Sequence, residues 1–180
     1  MKRNIFWLTE TAVMLAVLIT IQMVTKPMGQ IVTGTCVNTV LGIVALVCGV
    51  GSGIVVALVS PVVAVLLGIT PQVLTVPAIM IGNSIFVWLL GWRRKNQKHL
   101  RLDLLRCVCA ATAKFAVLYI LVVGVICHGA ADFFLQSGML MPPMIKVLST
   151  FFAWPQLITA LLGSVMATWI APILRQVLHK

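Results

Sequence analysis

The sequence predicts an all-α integral membrane protein, a six-transmembrane-helix bundle with both termini cytoplasmic. Three observations predict it. Hydrophobic residues make up 61% of the chain and charged residues only 9%, much less charge than a soluble domain of 180 residues needs to cover its surface. Apolar runs of about 18 residues or more, long enough to cross a bilayer, recur along the chain. The basic residues crowd into a few segments, and that asymmetry sets membrane orientation.

Residues 1–180 read as one domain with approximate spans 6–25, 31–49, 52–69, 73–91, 106–127 and 148–174. The first run follows Lys2 and Arg3, like a signal peptide, but it has no small-x-small cleavage site and is read as a retained helix. Spans two and three are joined by the glycine-rich "CGVGSG", which suits a tight helical hairpin, and spans three and four by the short "GITPQ". On the expected outer side two connectors have substance, "TKPMGQ" and "HGAADFFLQSGMLMPPMIKV". The second is half apolar with two prolines, which fits a segment at the membrane edge, where irregular backbone must be buried in protein or face water.

Orientation follows from the cations. Arg93, Arg94, Lys95, Lys98, Arg101 and Arg106 lie between spans four and five. Together with Lys2, Arg3, Arg175 and Lys180 they oppose only Lys26 and Lys146. Basic loops stay inside, so both termini are expected there. The net charge of +10 is thus a topology signal and a surface for anionic lipid. Nucleic-acid binding has no interleaved aromatics to support it.

The composition excludes much chemistry. The acids are Glu10, Asp103 and Asp132, and the histidines His99, His128 and His179. Spread over both sides of the membrane, they form neither a metal site nor a carboxylate pair within it. No cofactor is expected. The cysteines Cys36, Cys48, Cys107, Cys109 and Cys127 contain no C-x-x-C pair and read as small hydrophobes packed between helices. No G-x-x-x-x-G-K-[ST] loop is present, so uphill transport needs energy from elsewhere. Catalysis is not expected.

Two sets of residues point to function. In "TAVMLAVLIT", Ala12 and Ala16 stand one turn apart on one helix face. Such small-x-x-x-small pairs let helices approach closely, either inside the bundle or against a partner. Gly163 with Ala167, and Asn38 with Gly42, are read as internal packing. The second set is polar. Asn38 falls about 10 Å below the outer end of its span, Trp154 and Gln156 flank the kink-prone Pro155 at a comparable depth, and Asn83 is nearer the middle of span four. Side chains of this kind serve as interhelical hydrogen bonds or line a ligand cavity.

Lys114 is the costliest of the set, about 2.5–3.5 kcal/mol at a helix centre. It lies eight residues beyond Arg106, about 12 Å up the helix, which places it on the inner side of the midplane. Its side chain points back toward the cytoplasmic end, so snorkelling inward is one reading. The small neighbours in "CAATAK" favour a face packed on other helices, where the lysine pairs with a helix carbonyl or a substrate carboxylate.

A six-helix chain of this size, "TAVMLAVL" opening helix one, "VTGTCVNTVLGIVALVCGVGSGIVVALVSPVVAVLLGI" across helices two and three and "WPQLITALLGS" in the last, resembles the substrate-binding S component of an energy-coupling factor (ECF) transporter. The resemblance covers nearly the whole chain, and the ordered segments carry it more than any one motif. It implies a multi-pass protein of a prokaryotic plasma membrane that binds a vitamin or related micronutrient in an outer-half cavity, closed by the loop after helix one and parts of helices four to six. It also implies docking through the matching Ala12 and Ala16 to a membrane coupling subunit bearing two cytoplasmic ATPase subunits. The cavity-lining positions vary with substrate in that family, so Asn38, Asn83, Lys114, Trp154 and Gln156 stand as substrate-binding candidates on their own chemistry. Lys114 favours an anionic ligand such as a carboxylate. A stand-alone facilitator or channel is the alternative; a membrane enzyme or assembly factor is disfavoured by the shortage of acid–base residues.

Overall fold

The computed structural model describes residues 2–69, 72–92 and 100–178. Arg93, Arg94, Lys95, Lys98, His99, His179 and Lys180 lie outside the described residues. Among the described residues there is helix and no strand: α1 (Lys2–Thr25), α2 (Gln30–Val47), α3 (Val50–Leu66), α4 (Val76–Gly91), α5 (Leu100–Leu118), α6 (Ala131–Gln136), α7 (Pro142–Phe151) and α8 (Trp154–Leu178). The α5 helix continues as a π-helical stretch over Tyr119–Gly129. Five helical segments are long and apolar enough to cross a membrane, and Val50–Leu66 is a shorter apolar helix. Large apolar side chains such as Phe6, Leu66, Trp88 and Trp169 face outward, where a water-soluble monomer would not spread them so widely. The chain is a membrane-embedded helical protein.

The turns follow local chemistry. Cys48 and Gly49 alone separate α2 from α3, and Gly49 adopts φ 101°, a conformation that costs a residue without a side chain nothing. A 3₁₀ turn over Lys26–Met28 joins α1 to α2. Pro77 stands in the first turn of α4, where its missing N–H leaves no helix bond unmade.

Three spans, the first, fifth and last, differ most from the sequence expectation, and the third, expected over 52–69, is the shorter helix Val50–Leu66. Helix α1 begins at Lys2, not residue 6. Helix α5 begins at Leu100 and its helical run ends at Gly129, so it overhangs the 106–127 expectation at both ends. The last span, expected to be continuous over 148–174, is broken after Phe151 and restarts at Trp154. The cause is Pro155, whose ring excludes the carbonyl of Phe151 and which has no N–H to offer it. The connector before this span is therefore largely helical, as α6 and the start of α7.

Helix α2 is the axis of the bundle. Asn38 through Leu46 are buried without interruption, and α2 packs on α1, α3, α4 and α8. Its closest approach is to α8. A Cβ at Gly42 would lie 2.5 Å from the Cβ of Ala167, and one at Gly163 would lie 2.5 Å from the Cβ of Asn38. The two small-residue motifs therefore pack against each other, each glycine receiving a side chain of the other helix. At one end of the pair, an Arg175 guanidinium N–H donates to the carbonyl of Leu46. The central core, with Leu18, Leu41, Val56, Phe86, Ala110 and Ala160, draws on α1 to α5 and α8. A second cluster joins Leu118 and Val122 to Leu140, Leu148 and Phe152.

Candidate functional site

Lys114 is 4% exposed. Ala110 and Ala111, one turn before it on the same face, are fully buried, so this face of α5 points into the bundle and takes the lysine with it. The Nζ donates to Asn38 Oδ1 on α2 at 2.5 Å and to Asn83 Oδ1 on α4 at 2.7 Å. It also lies 5.4 Å from the centroid of the Phe86 ring, within the range of a cation–π attraction. Asn38 in turn donates through Nδ2 to Thr159 Oγ1 on α8 at 3.4 Å. Four helices thus meet in one polar network.

These three partners present their negative ends to the ammonium: two amide oxygens and a ring face. An ammonium has donors and no acceptor, so this shell replaces water oxygens with protein ones. The snorkelling reading is corrected here. Lys114 also stands nearer the middle of its helix than expected. Because α5 starts six residues before the expected boundary, Lys114 sits at the middle of the Leu100–Gly129 helical run, as Asn38 and Asn83 sit at the middles of α2 and α4.

The network forms the deep end of a cavity of about 430 Å³, within the usual size range of small-ligand sites. From there the cavity runs to Lys26 and Gly29 on one connector, Gln30 at the start of α2, and Gly68 and Ile69 on another connector. The distance along α2 from Gln30 to Asn38 is about 12 Å. Its polar lining includes Gln22, Thr33, Ser60, Thr75 and Gln156, and its apolar walls include Val37, Ile79, Leu118, Leu148, Phe151 and Phe152. At the exposed end, Lys26 Nζ donates to the carbonyl of Gly68 at 2.6 Å, tying the two connectors together.

No carboxylate reaches this cavity: Glu10, Asp103 and Asp132 are all absent from its lining, and Asp103 pairs with Arg106 at 3.0 Å. Among the described residues, no group of three His, Cys, Asp or Glu side chains could hold a metal ion. The site offers one buried cation, amide and hydroxyl groups, and an apolar wall. It lacks the acid–base pairs of a hydrolytic centre.

Of the sequence candidates, Asn38, Asn83, Lys114 and Gln156 line the cavity, while Trp154 does not. Trp154 is 71% exposed, its ring stacked on Phe115 with centroids 6.3 Å apart; two residues apart on α8, it and Gln156 fall on opposite sides of the helix. Ala12 and Ala16 are both exposed on α1, so their face is not used for packing within the bundle. Thr159 and Phe86 were not anticipated. Each lies three residues beyond a candidate, Gln156 and Asn83 respectively, and that helical spacing is the signal that places them on the same face. No family model matches the chain, and no curated protein or solved structure matches it.

Proposed function

We propose that the chain is the substrate-binding S component of an ATP-driven, ECF-type importer of a vitamin or related micronutrient in a prokaryotic plasma membrane. It captures its ligand in the cavity above Lys114 and passes it inward with energy from partner ATPases. The observation that carries this reading is the form of the cavity, a cup and not a pore. Its deep end is closed by the Lys114–Asn38–Asn83 network and by the central core around Leu41 and Phe86. A cup holds a solute, and moving that solute onward needs a conformational change that the sequence carries no G-x-x-x-x-G-K-[ST] loop to drive. The exposed Ala12–Ala16 face of α1 supports docking on a membrane coupling subunit, because small residues admit close helix approach.

In this reading all six apolar helices span the membrane, both termini are cytoplasmic, and the exposed cavity end faces outward. The test is transport in liposomes. Uptake is expected only when the chain is reconstituted with a coupling subunit, two ATPases and ATP. Flux through the chain purified alone would instead identify a facilitator.

A further inference from the structure

We infer that the ligand is a monocarboxylate that enters carboxylate first and docks on Lys114. This rests on the cavity being a ligand site, as proposed above, and adds the class of ligand it takes. The first ground is charge. Lys114 is a buried cation whose protein partners are two neutral amide oxygens and a ring face, and no acid lines the cavity with it. Dipoles lower the cost of burying an ammonium but leave its net charge uncompensated, and buried charges are ordinarily paired. A carboxylate at the floor of the cup would supply that pairing.

The second ground is donor geometry. An ammonium has three N–H groups; two are committed to Asn38 and Asn83, and the side chain lines the cavity. One remaining charge-assisted donor, with the side-chain amides of Asn83 and Gln156 on the same lining, suits a carboxylate. It does not suit a phosphate dianion, which carries more charge and three acceptor oxygens. The other cation on the lining, Lys26, is exposed and bonded to Gly68 at the far end, so a second buried anion has no partner.

The third ground is the wall. Above Lys114 the cavity is bounded by Leu118, Ile79, Leu148 and Phe152, which suit an apolar or aromatic body. A polar tail would meet Gln22, Gln30 and Thr33 nearer the exposed end. The ligand is thus a small amphipathic acid, its body no longer than the depth of about 12 Å set by the helix rise.

The experiment uses the full-length protein in nanodiscs and reads its unfolding midpoint against increasing benzoate, benzamide, phosphate and chloride at equal ionic strength. Benzoate is expected to raise the midpoint in a saturable way, while benzamide, phosphate and chloride do not. In Lys114→Gln and Lys114→Met the benzoate increment is expected to fall at least tenfold in apparent affinity. Benzoate no better than chloride, an equal response to benzamide, a stronger response to phosphate, or an undiminished increment in both variants would each overturn the inference. If neither variant folds, the four-ligand comparison on the wild type decides alone. Lys114-dependent benzoate binding in a protein that never assembles with an ATPase would leave this inference standing and remove the importer assignment. ATP-driven uptake of a neutral ligand would do the reverse.

Discussion

The ammonium of Lys114 donates to the side-chain oxygen of Asn38 across a sequence separation of 76 residues. That bond joins α5 to α2 at the deep end of the cavity, and Asn83 closes it from α4. Replacing Asn38 with leucine leaves the buried ammonium with one acceptor fewer, at a cost of about 1–3 kcal/mol. Adding Lys114→Met to that variant removes the group left wanting, so the double variant should be less destabilised than the two single changes sum to. A double-mutant cycle on unfolding midpoints checks this; strict additivity would show that the two side chains are uncoupled.

Gly163, one turn beyond Thr159, is where α8 packs against Asn38. A Cβ there would come within 2.9 Å of the Thr35 carbonyl and the Thr39 nitrogen as well as 2.5 Å from the Cβ of Asn38. Backbone cannot yield as a flexible side chain can. Gly163→Ala is therefore expected to destabilise the protein by about 1–3 kcal/mol and, by displacing Asn38, to weaken benzoate binding too. Gly51→Ala is the control, since nothing lies within 4 Å of a Cβ there. Equal unfolding midpoints for the two variants would contradict the close approach of α2 and α8.

Ala12 and Ala16 predict the opposite separation of effects. Both are exposed, so Ala12→Leu with Ala16→Leu should move stability by no more than about 0.5 kcal/mol per site. Benzoate affinity should be unchanged while co-purification with the proposed coupling subunit is lost. A double variant that still assembles would remove the docking role from this face.

Trp154 and Gln156 straddle Pro155, and only the glutamine lines the cavity. Trp154→Ala is expected to leave the apparent benzoate affinity within about twofold, and Gln156→Leu to reduce it roughly fivefold, the equivalent of one hydrogen bond of about 1 kcal/mol. Isothermal titration of the two variants distinguishes them. A larger loss at Trp154 than at Gln156 would place the tryptophan in the site after all.

By itself the sequence determined the membrane class and most of the helices, because apolar run length is a local property and a bilayer demands it. It also singled out Asn38, Asn83, Lys114 and Gln156, since a polar side chain in such a run stands out whatever its partners are. The pairings within 38/42 and 163/167 were legible as small-residue spacing, although not that the two motifs face each other. Tertiary structure decided the rest. Whether Lys114 turned to lipid headgroups or to Asn38 depended on which helices lay beside it, and helix periodicity alone cannot name a neighbour. The exposure of Ala12 and Ala16, and the choice of Gln156 over Trp154 to line the cavity, were settled the same way. The physical reason is common to all three: a helix fixes which residues share a face, but only packing against other helices decides what that face meets.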